Sequence, residues 1–251
     1  MKRTAILLLS LACFAPAAAH AAEAPLRVLA YETKPFFFRG ADGKPAGIEH
    51  EILEYYAKSK GRALQVTWTD DFESILPRIE RGEAHVAAAT ITITPERRQR
   101  VSFSSPYFPT RVMLVEPSGQ NTQRLGQLAG STVAVMKGTT YEELLSAIPR
   151  VKMVHGATEA DLLQLVASGR ARATAADSAV ALTLLPRYPA LRLGIPLSPE
   201  QGFGFAVRKG SPLERELTTH IQQLKSSQIY FRILEKHLGA EAARLVAAGK
   251  S

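Results

Sequence analysis

Cysteine is almost absent from this 251-residue chain, and the single one, Cys13, lies in the apolar stretch near the N-terminus. The chain after that stretch therefore needs no disulfide and offers no thiol chemistry. The six histidines lack a ligand spacing such as His-x-x-x-His, Gly-x-Ser-x-Gly is missing, and the glycine motif at residues 202–207 is too short to bind a dinucleotide. We therefore expect no metal, no cofactor and no serine-hydrolase site.

The N-terminal residues resemble an export signal. A charged start (residues 1–3) precedes an apolar run (6–19) and a small-x-small cleavage pattern that ends at Ala21. This pattern predicts a signal peptide at residues 1–21, cleaved near Ala21. An N-terminal anchor is less favoured because no further hydrophobic span follows. Lipidation of Cys13 is a minor alternative, since Ser10 stands where leucine is usual.

The remaining chain is basic: without Lys2 and Arg3, 29 basic and 23 acidic residues leave a formal charge of +6. The basic cluster at residues 97–100 lacks the interleaved aromatic residues of a nucleic-acid surface. We therefore expect no nucleic acid as a partner, and we interpret the charge as an aid to solubility or a contact with envelope polymers.

Apolar periodicity predicts two runs of alternating strands and helices, which indicate an α/β fold with largely parallel sheets. The predicted strands are residues 26–31, 64–69, 86–93, 132–136, 152–154, 171–176 and 203–207. The predicted helices are residues 47–60, 72–81, 140–148, 158–167, 178–185 and 229–237, with one more that begins at Ser211. Thr158 and Asp161 form a capping-box pattern, and Ser211 fits an N-cap with Pro212 at the first position. Two such halves suggest two lobes with a ligand cleft at the strand ends.

The segment from residue 90 to 108 places hydroxyls and an arginine at the end of an apolar strand. Thr94 fits a helix N-cap with Pro95 at the first position, which fixes Arg97 on the first helical turn. Thr90 and Thr92 are two apart and share a face of the predicted strand. A guanidinium beside hydroxyls suits a carboxylate. The alternative is that Arg97 is an ordinary solvated surface charge.

Two later segments also end strands in polar residues. After a strand and Gly138, residues from Thr140 to Glu143 match a capping box, and the helix N-terminus that they open can hold an anion. Asp177 ends a strand of small residues. It is either the N-cap of the following helix or a carboxylate for an ammonium group. Together with Arg97, these residues could bind a zwitterion.

Four segments resemble the family-3 extracellular solute-binding proteins, the polar amino-acid receptors of ABC importers: residues 91–107, 133–145, 175–177 and 202–239. The resemblance covers residues 26–239, and its Thr-x-x-Arg block is specific. It implies a two-lobed periplasmic binding protein fold of type II, in which each lobe is a central sheet flanked by helices. The ligand lies in the cleft between the lobes.

The resemblance also implies roles for particular residues. Arg97 would hold the ligand α-carboxylate, with Thr92 sharing that work and Thr140 giving a backbone N–H and a hydroxyl. Asp177 would take the α-ammonium group. Each of these positions matches a motif residue of the family.

The side-chain end of the ligand is less defined by the resemblance. Phe72 matches an aromatic residue that often flanks the ligand side chain. The first loop is one or two residues shorter than is typical, so its acidic and aromatic residues fall only roughly at Tyr31 and Glu32. His85 and Arg172 stand where family members often have aspartate before a central strand.

The predicted organisation is a discontinuous first lobe, residues 22–108 and 204–251, and a second lobe, residues 109–203. Crossings are expected near residues 107–111 and 201–204. The expected partners are a small-molecule ligand, an amino acid, and an ABC permease in the inner membrane. We expect a periplasmic monomer.

A first alternative function is the sensing of cell-wall fragments. Residues 176–197 resemble the receptor-like domain of membrane-bound lytic transglycosylases. Because the sequence continues for only 12 residues beyond Gly239, we expect no transglycosylase domain after it.

A second alternative is an enzyme similar to the cyclohexadienyl dehydratases, which resemble this family closely. They carry a general-acid glutamate about three residues after the aspartate that matches Asp177. Val180 occupies that position here and cannot donate a proton. We therefore expect no enzyme activity, although Glu32 or Glu49 could in principle act as an acid.

Overall fold

The computed structural model describes residues 23–240 together with residues 243 and 246, so the predicted signal peptide lies outside the described residues. In chain order the strands are β1 (Leu26–Tyr31), β2 (Phe38–Arg39), β3 (Pro45–Ala46), β4 (Leu64–Thr69), β5 (Val86–Ala88), β6 (Val101–Phe103), β7 (Phe108–Thr110), β8 (Val112–Pro117), β9 (Thr132–Val135), β10 (Lys152–His155), β11 (Ala173–Asp177), β12 (Leu191–Pro196), β13 (Gln201–Phe203) and β14 (Ala206–Arg208).

The α-helices are α1 (Ile48–Ser59), α2 (Ile75–Glu80), α3 (Pro95–Arg100), α4 (Thr140–Ser146), α5 (Glu159–Ala167), α6 (Ser178–Leu184), α7 (Leu213–Lys225) and α8 (Gln228–Leu238). Two 3₁₀ turns cover Leu125–Leu128 and Leu185–Arg187. Within the described part of the chain, no helix has the length and apolar character needed to cross a bilayer.

The first five-stranded sheet has the order β4-β1-β5-β14-β6. β1 pairs in parallel with β4 and β5, whereas β14 is antiparallel to β5 and β6. Helices α1, α2, α7 and α8 pack with this sheet or with one another, and α3 leads into β6. We call this body lobe one. Its strand β14 and its last two helices come from the C-terminal part of the chain.

The second five-stranded sheet has the order β10-β9-β11-β8-β12, and all its strands lie between residues 112 and 196. β9 pairs in parallel with β10 and β11, while β8 runs antiparallel to β11 and β12. Helices α4 and α5 pack on this sheet, and we call the body lobe two. The chain passes between the lobes twice, where β7 and β13 form an antiparallel pair.

Strand alternation explains why the sheet of lobe one is apolar on both sides. Leu26, Val28 and Ala30 face a cluster with α1, α7 and α8, whereas Leu29 and Tyr31 face the opposite cluster, which continues into lobe two. Successive side chains of a strand point to opposite faces, so β1, which is covered on both sides, is apolar at every position except Arg27. The α/β class predicted from the sequence is confirmed.

Several element boundaries differ from the prediction. The strand predicted at residues 86–93 ends at Ala88, and Thr90 has a backbone φ of 48°. The strand predicted at 203–207 divides at Gly204, which separates β13 from β14. The strands β2, β3, β6, β7, β8 and β12 were not predicted. Strands of two or three residues are too short to show a period, β12 is an edge strand of mixed exposure, and β8 is an interior strand that is largely buried and so shows no alternation.

Two of the predicted helix starts are confirmed, and a third differs by one residue. The capping box of Thr158 and Asp161 at α5 is confirmed, as is Thr94 as the N-cap of α3. At α7 the N-cap position falls on Pro212, and the hydroxyl of Ser211 accepts from the Leu213 amide at 3.3 Å. The assigned helix therefore begins one residue later than predicted, while the Ser211 hydroxyl makes the capping bond expected of it.

Candidate functional site

Arg97 lies in the cleft between the lobes, at the third position of α3. Thr94 Oγ1 accepts the Arg97 amide N–H at 3.2 Å, so the cap fixes the start of this helix turn. The side chain is only 6% exposed. Its Nη1 donates to the Thr92 carbonyl at 2.9 Å and its Nη2 to the Gly138 carbonyl of lobe two at 3.0 Å. The interpretation of Arg97 as a solvated surface charge is therefore wrong.

The positive charge of Arg97 is not cancelled by a paired carboxylate. Both of its hydrogen bonds end on backbone oxygens, and no acidic side chain of residues 23–240 forms an ion pair with it. These bonds use two of the five guanidinium donors, which leaves others for a bidentate contact. Burial lowers the pKa of Arg97, while the charges of Glu143 and Asp177 oppose that shift.

Thr90 and Thr92 line the same small cavity as Arg97, but not for the predicted reason. Because β5 ends before them, they do not share a strand face. Thr90 adopts a left-handed backbone conformation, and its N–H donates to a carboxylate oxygen of Glu49 at 3.1 Å. Thr92 is buried and forms an isolated bridge with Phe203. The two threonines are therefore placed by a loop.

Lobe two contributes Thr140 from the start of α4. The N-cap is Thr139, whose hydroxyl accepts from the Glu142 amide at 3.4 Å, so the capping register predicted for Thr140 is wrong by one residue. Thr140 is the first helical residue, where it is buried and lines the cavity. Its amide belongs to the helix N-terminus that faces the cleft, a favourable place for an anion.

Asp177 ends β11 and is 3% exposed. Its Oδ1 accepts from Thr110 Oγ1 at 3.0 Å and its Oδ2 from Tyr141 Oη at 2.6 Å. Although Asp177 occupies the N-cap position of α6, its side chain makes no capping bond, so the interpretation as a helix cap is wrong. Burial raises the pKa of Asp177 to about 6, against the opposing effect of these two hydrogen bonds.

Two aromatic residues of lobe one stand beside these polar groups. Phe72 lies under the Arg97 guanidinium at 5.9 Å and meets the Tyr31 ring edge to face at 5.5 Å. The Tyr31 hydroxyl donates to the Ala157 carbonyl of lobe two at 2.6 Å. Tyr31 therefore forms a second hydrogen bond across the cleft, in addition to that of Arg97.

The structure brings six of the seven predicted site residues to one cavity: Thr90, Thr92, Arg97, Thr140, Asp177 and Phe72. Tyr31 lines a neighbouring cavity. The shared cavity encloses only about 10 Å³, which is near the least that a single water molecule needs. An amino acid fits between these groups only when the lobes separate. The cavity on the Tyr31 side is larger, at about 490 Å³.

The sequence prediction missed Glu159 and Tyr141, which line the cavity with Asp177. Glu159 is 7% exposed, and burial raises its pKa to about 7. Tyr141 is fully occupied as the donor to Asp177. Both residues follow predicted helix starts, and that position was the only signal in the sequence that could have drawn attention to them.

The two acids considered for catalysis lie elsewhere. Glu49 is completely buried inside lobe one, where it accepts from the Tyr107 hydroxyl and the Thr90 amide. Burial raises the pKa of Glu49 to about 7. Glu32 forms an ion pair with Arg39 at 2.7 Å beside the larger cavity. Glu49 therefore holds the backbone of Thr90 by a hydrogen bond from the interior of lobe one, and it is not among the residues that line the cleft.

Comparisons with known proteins show which family this chain resembles. The family described as "Bacterial extracellular solute-binding proteins, family 3" matches residues 26–240. The "Amino-acid-binding protein AabA" of Dichelobacter nodosus is 27% identical over 77% of this chain and 79% of its own. The "Membrane-bound lytic murein transglycosylase F" of Desulfosudis oleivorans is 30% identical over 78% of this chain. This chain spans only 45% of that transglycosylase's length.

Among solved structures, one described as "An ancestral arginine-binding protein bound to arginine" has a TM-score of 0.78 and 30% sequence identity, and the alignment covers 86% of this chain and 98% of that one. The predicted two-lobed type II fold is confirmed by this likeness together with the two sheets. Since the family match spans most of the sequence, the chain belongs to the bacterial extracellular solute-binding proteins of family 3.

Proposed function

We propose that this protein captures an amino acid, or a similar small zwitterion, in the periplasm for an ABC importer. The observation that carries the proposal is the placement of Arg97 and Asp177 on opposite walls of one cleft. Both are buried, and neither is paired with an opposite charge among residues 23–240. Burying unpaired charges is costly, so the pair suits a ligand that brings a carboxylate and an ammonium group together.

The lobes proposed for this function are residues 22–108 with 204–251, and residues 109–203. The support for these boundaries is the antiparallel pair of β7 and β13 at the crossings. A ligand held by Arg97 of lobe one and Asp177 of lobe two would contact both walls only when they are close. Binding would then favour the closed arrangement through contacts that the open one lacks.

A thermal-shift screen of amino acids, small peptides and cell-wall fragments tests the proposal, because a ligand that binds only the folded state raises the melting temperature. Asp177→Asn then tests the site with the ligand found and its des-amino analogue. We expect the α-amino ligand to lose about 1.5–3 kcal/mol, the scale of a hydrogen bond to a charged group. The des-amino ligand should be almost unaffected.

Equal, small losses for both ligands would remove the support for a zwitterion. Failure of every amino acid to raise the melting temperature would reject the amino-acid proposal as a whole.

A second candidate function is the sensing of cell-wall fragments, and the similarity to the transglycosylase F of Desulfosudis oleivorans favours it. The cavity of about 490 Å³ beside Tyr31 offers room for a ligand longer than an amino acid. In the same screen, a melting shift from wall fragments without one from free amino acids would select this function.

We further infer that the protein is a binding protein and not an enzyme. Val180, at the position where a dehydratase acid is expected, is a buried aliphatic residue. The hydroxyls of Thr110 and Tyr141 already donate to Asp177. An assay for cyclohexadienyl dehydratase activity should therefore give no product above a blank. Turnover that disappears in an Asp177→Asn variant would reject this inference.

A further inference from the structure

We propose that Glu159 makes the cleft selective for a ligand with a positively charged side chain, such as a basic amino acid. The inference rests on the proposed function, since it adds a third charged group to the pair formed by Arg97 and Asp177. It names a substrate class within the amino acids and a residue that selects it.

Glu159 is held in place by a helix start that does not use its carboxylate. Thr158 is the N-cap of α5, and its hydroxyl accepts from the Asp161 amide at 3.2 Å. The Asp161 carboxylate accepts from the amides of Ala157 and Thr158 at 3.2 and 3.0 Å. Capping is therefore complete without Glu159, the first residue of the helix.

The Glu159 side chain lies in the wall of the cleft, where it is 7% exposed and lines the same cavity as Arg97 and Asp177. Among the residues that the structure describes, no lysine, arginine or histidine forms an ion pair with it. The two nearby tyrosine hydroxyls donate elsewhere, that of Tyr31 to Ala157 and that of Tyr141 to Asp177. Within residues 23–240, the hydrogen bond to the Glu159 carboxylate comes from its own backbone amide.

A carboxylate in such a place is costly unless a positive charge reaches it. Among the described residues, Arg97 is the cation that lines this small cavity, and the ligand carboxylate would occupy it. Asp177 would match the ligand ammonium group. Glu159 then remains as an unmatched negative charge, so the cleft is complementary to a ligand with net charge +1. Burial and the negative charges of Asp177 and Asp161 raise the pKa of Glu159, which indicates how poorly its charge is compensated without a cation.

Arginine and citrulline test the proposal, because they have the same length and differ in charge at the end of the side chain. We expect calorimetry at pH 7.5 to find that the wild type binds arginine more tightly than citrulline by roughly tenfold or more. In Glu159→Gln this preference should fall to about twofold or less, because the amide keeps the shape and removes the charge.

The matched control is Glu143→Gln. Glu143 is also in the first turn of a helix, α4, but it is exposed and lines a different opening of the cleft. We expect this variant to keep the full preference for arginine. If a loss of preference appeared equally in Glu143→Gln, the effect would come from the general field of the cleft, and the role of Glu159 would be rejected.

The wild-type measurement alone can overturn the proposal even if Glu159→Gln fails to fold. Equal binding of arginine and citrulline, or binding of neutral amino acids only, would reject Glu159 as a selector while leaving the proposed function intact. If no α-amino acid bound at all, the proposed function would fail first. An unchanged arginine preference in folded Glu159→Gln would also reject the inference.

Discussion

The two walls of the cleft both bury charged groups, but they hold them differently. On the wall of lobe one, Arg97 is fixed by the backbone carbonyls of Thr92 and Gly138. On the wall of lobe two, Asp177 is fixed by the side-chain hydroxyls of Thr110 and Tyr141, and Glu159 by no side chain of the described residues. Neutral partners on both walls orient the charges without cancelling them.

The two walls also differ in whether pH can change their charge. A guanidinium does not lose its proton in proteins, so the wall of lobe one keeps its positive charge at any pH that a folded protein tolerates. The carboxylates of lobe two have pKa values raised to about 6 and about 7 by burial. The net charge of the cleft is therefore set by lobe two, and the position of the ligand carboxylate by lobe one.

The largest effect is expected from removing the charge of lobe one. Arg97→Ala should cost about 2–5 kcal/mol of ligand binding, the scale for losing one partner of a buried charge pair. Arg97→Lys should also bind poorly because it lacks the planar fork. Calorimetry with the natural ligand measures both. Arg98→Ala, an exposed neighbour on the same helix, is the control and should bind as the wild type does.

The next effect concerns how closely the walls approach. Gly138 has a φ of +72°, and a Cβ there would lie 3.0 Å from the Glu73 Cα of lobe one. Gly138→Ala should therefore weaken ligand binding by hindering closure, besides costing stability. Gly130→Ala is the matched control, since Gly130 has a φ of +73° with nothing within 4 Å.

Both glycine variants should lose about 1–2 kcal/mol of unfolding free energy from the left-handed backbone. Only Gly138→Ala should lose affinity, as measured by calorimetry on the folded variants. Equal affinity in the two would mean that the walls do not need to approach as closely as they do here.

A third test uses the titration of lobe two. The pKa of Glu159 is raised from 4.5 to about 7 in the folded protein, so the folded state binds more protons between these values. Its contribution to stability therefore falls as pH rises from about 4.5 to about 7. Relative to the wild type, ligand-free Glu159→Gln should gain stability across this range, by roughly 3 kcal/mol at most, and no more above it.

The measurement is the difference in denaturation midpoint between variant and wild type at each pH. Burial lowers the pKa of His50, His85 and His220, so these residues make stability rise with pH, opposite to the effect of Glu159. Because both proteins contain them, their effect cancels in the difference. A flat difference for Glu159→Gln would mean that its carboxylate is not destabilised by burial.

The smallest effect is expected from the hydroxyl that joins the walls at Tyr31. Tyr31→Phe removes the bond to the Ala157 carbonyl and should weaken ligand binding by about 1 kcal/mol or less. Tyr188→Phe is the control, because Tyr188 donates to the Ala160 carbonyl at 3.2 Å within lobe two. If both variants bound the ligand equally well, the Tyr31 bond would contribute nothing to closure.

Local sequence determined much of the fold. The period of apolar residues predicted the α/β class, and polar caps placed the starts of α3 and α5. These signals act over a few residues, so they can be read without knowing what the segment packs against. The division of residues 203–207 at Gly204 could not be predicted in this way, because it depends on the pairing of β13 with β7 and of β14 with β5.

In the cleft, the Thr94 cap and Pro95 allowed the place of Arg97 on a helix turn to be predicted, but its burial between the lobes became known only from the packing. Asp177 was predicted from its place at the end of a strand, but the sequence could not separate a helix cap from a carboxylate for an ammonium group. The tertiary structure decided between them, since Thr110 and Tyr141 come from distant segments and take both carboxylate oxygens. The burial of Glu159 in the cleft could be seen only in the folded protein. Its carboxylate is not needed by the helix cap, and the packing of the two lobes removes water from it, which makes its charge costly.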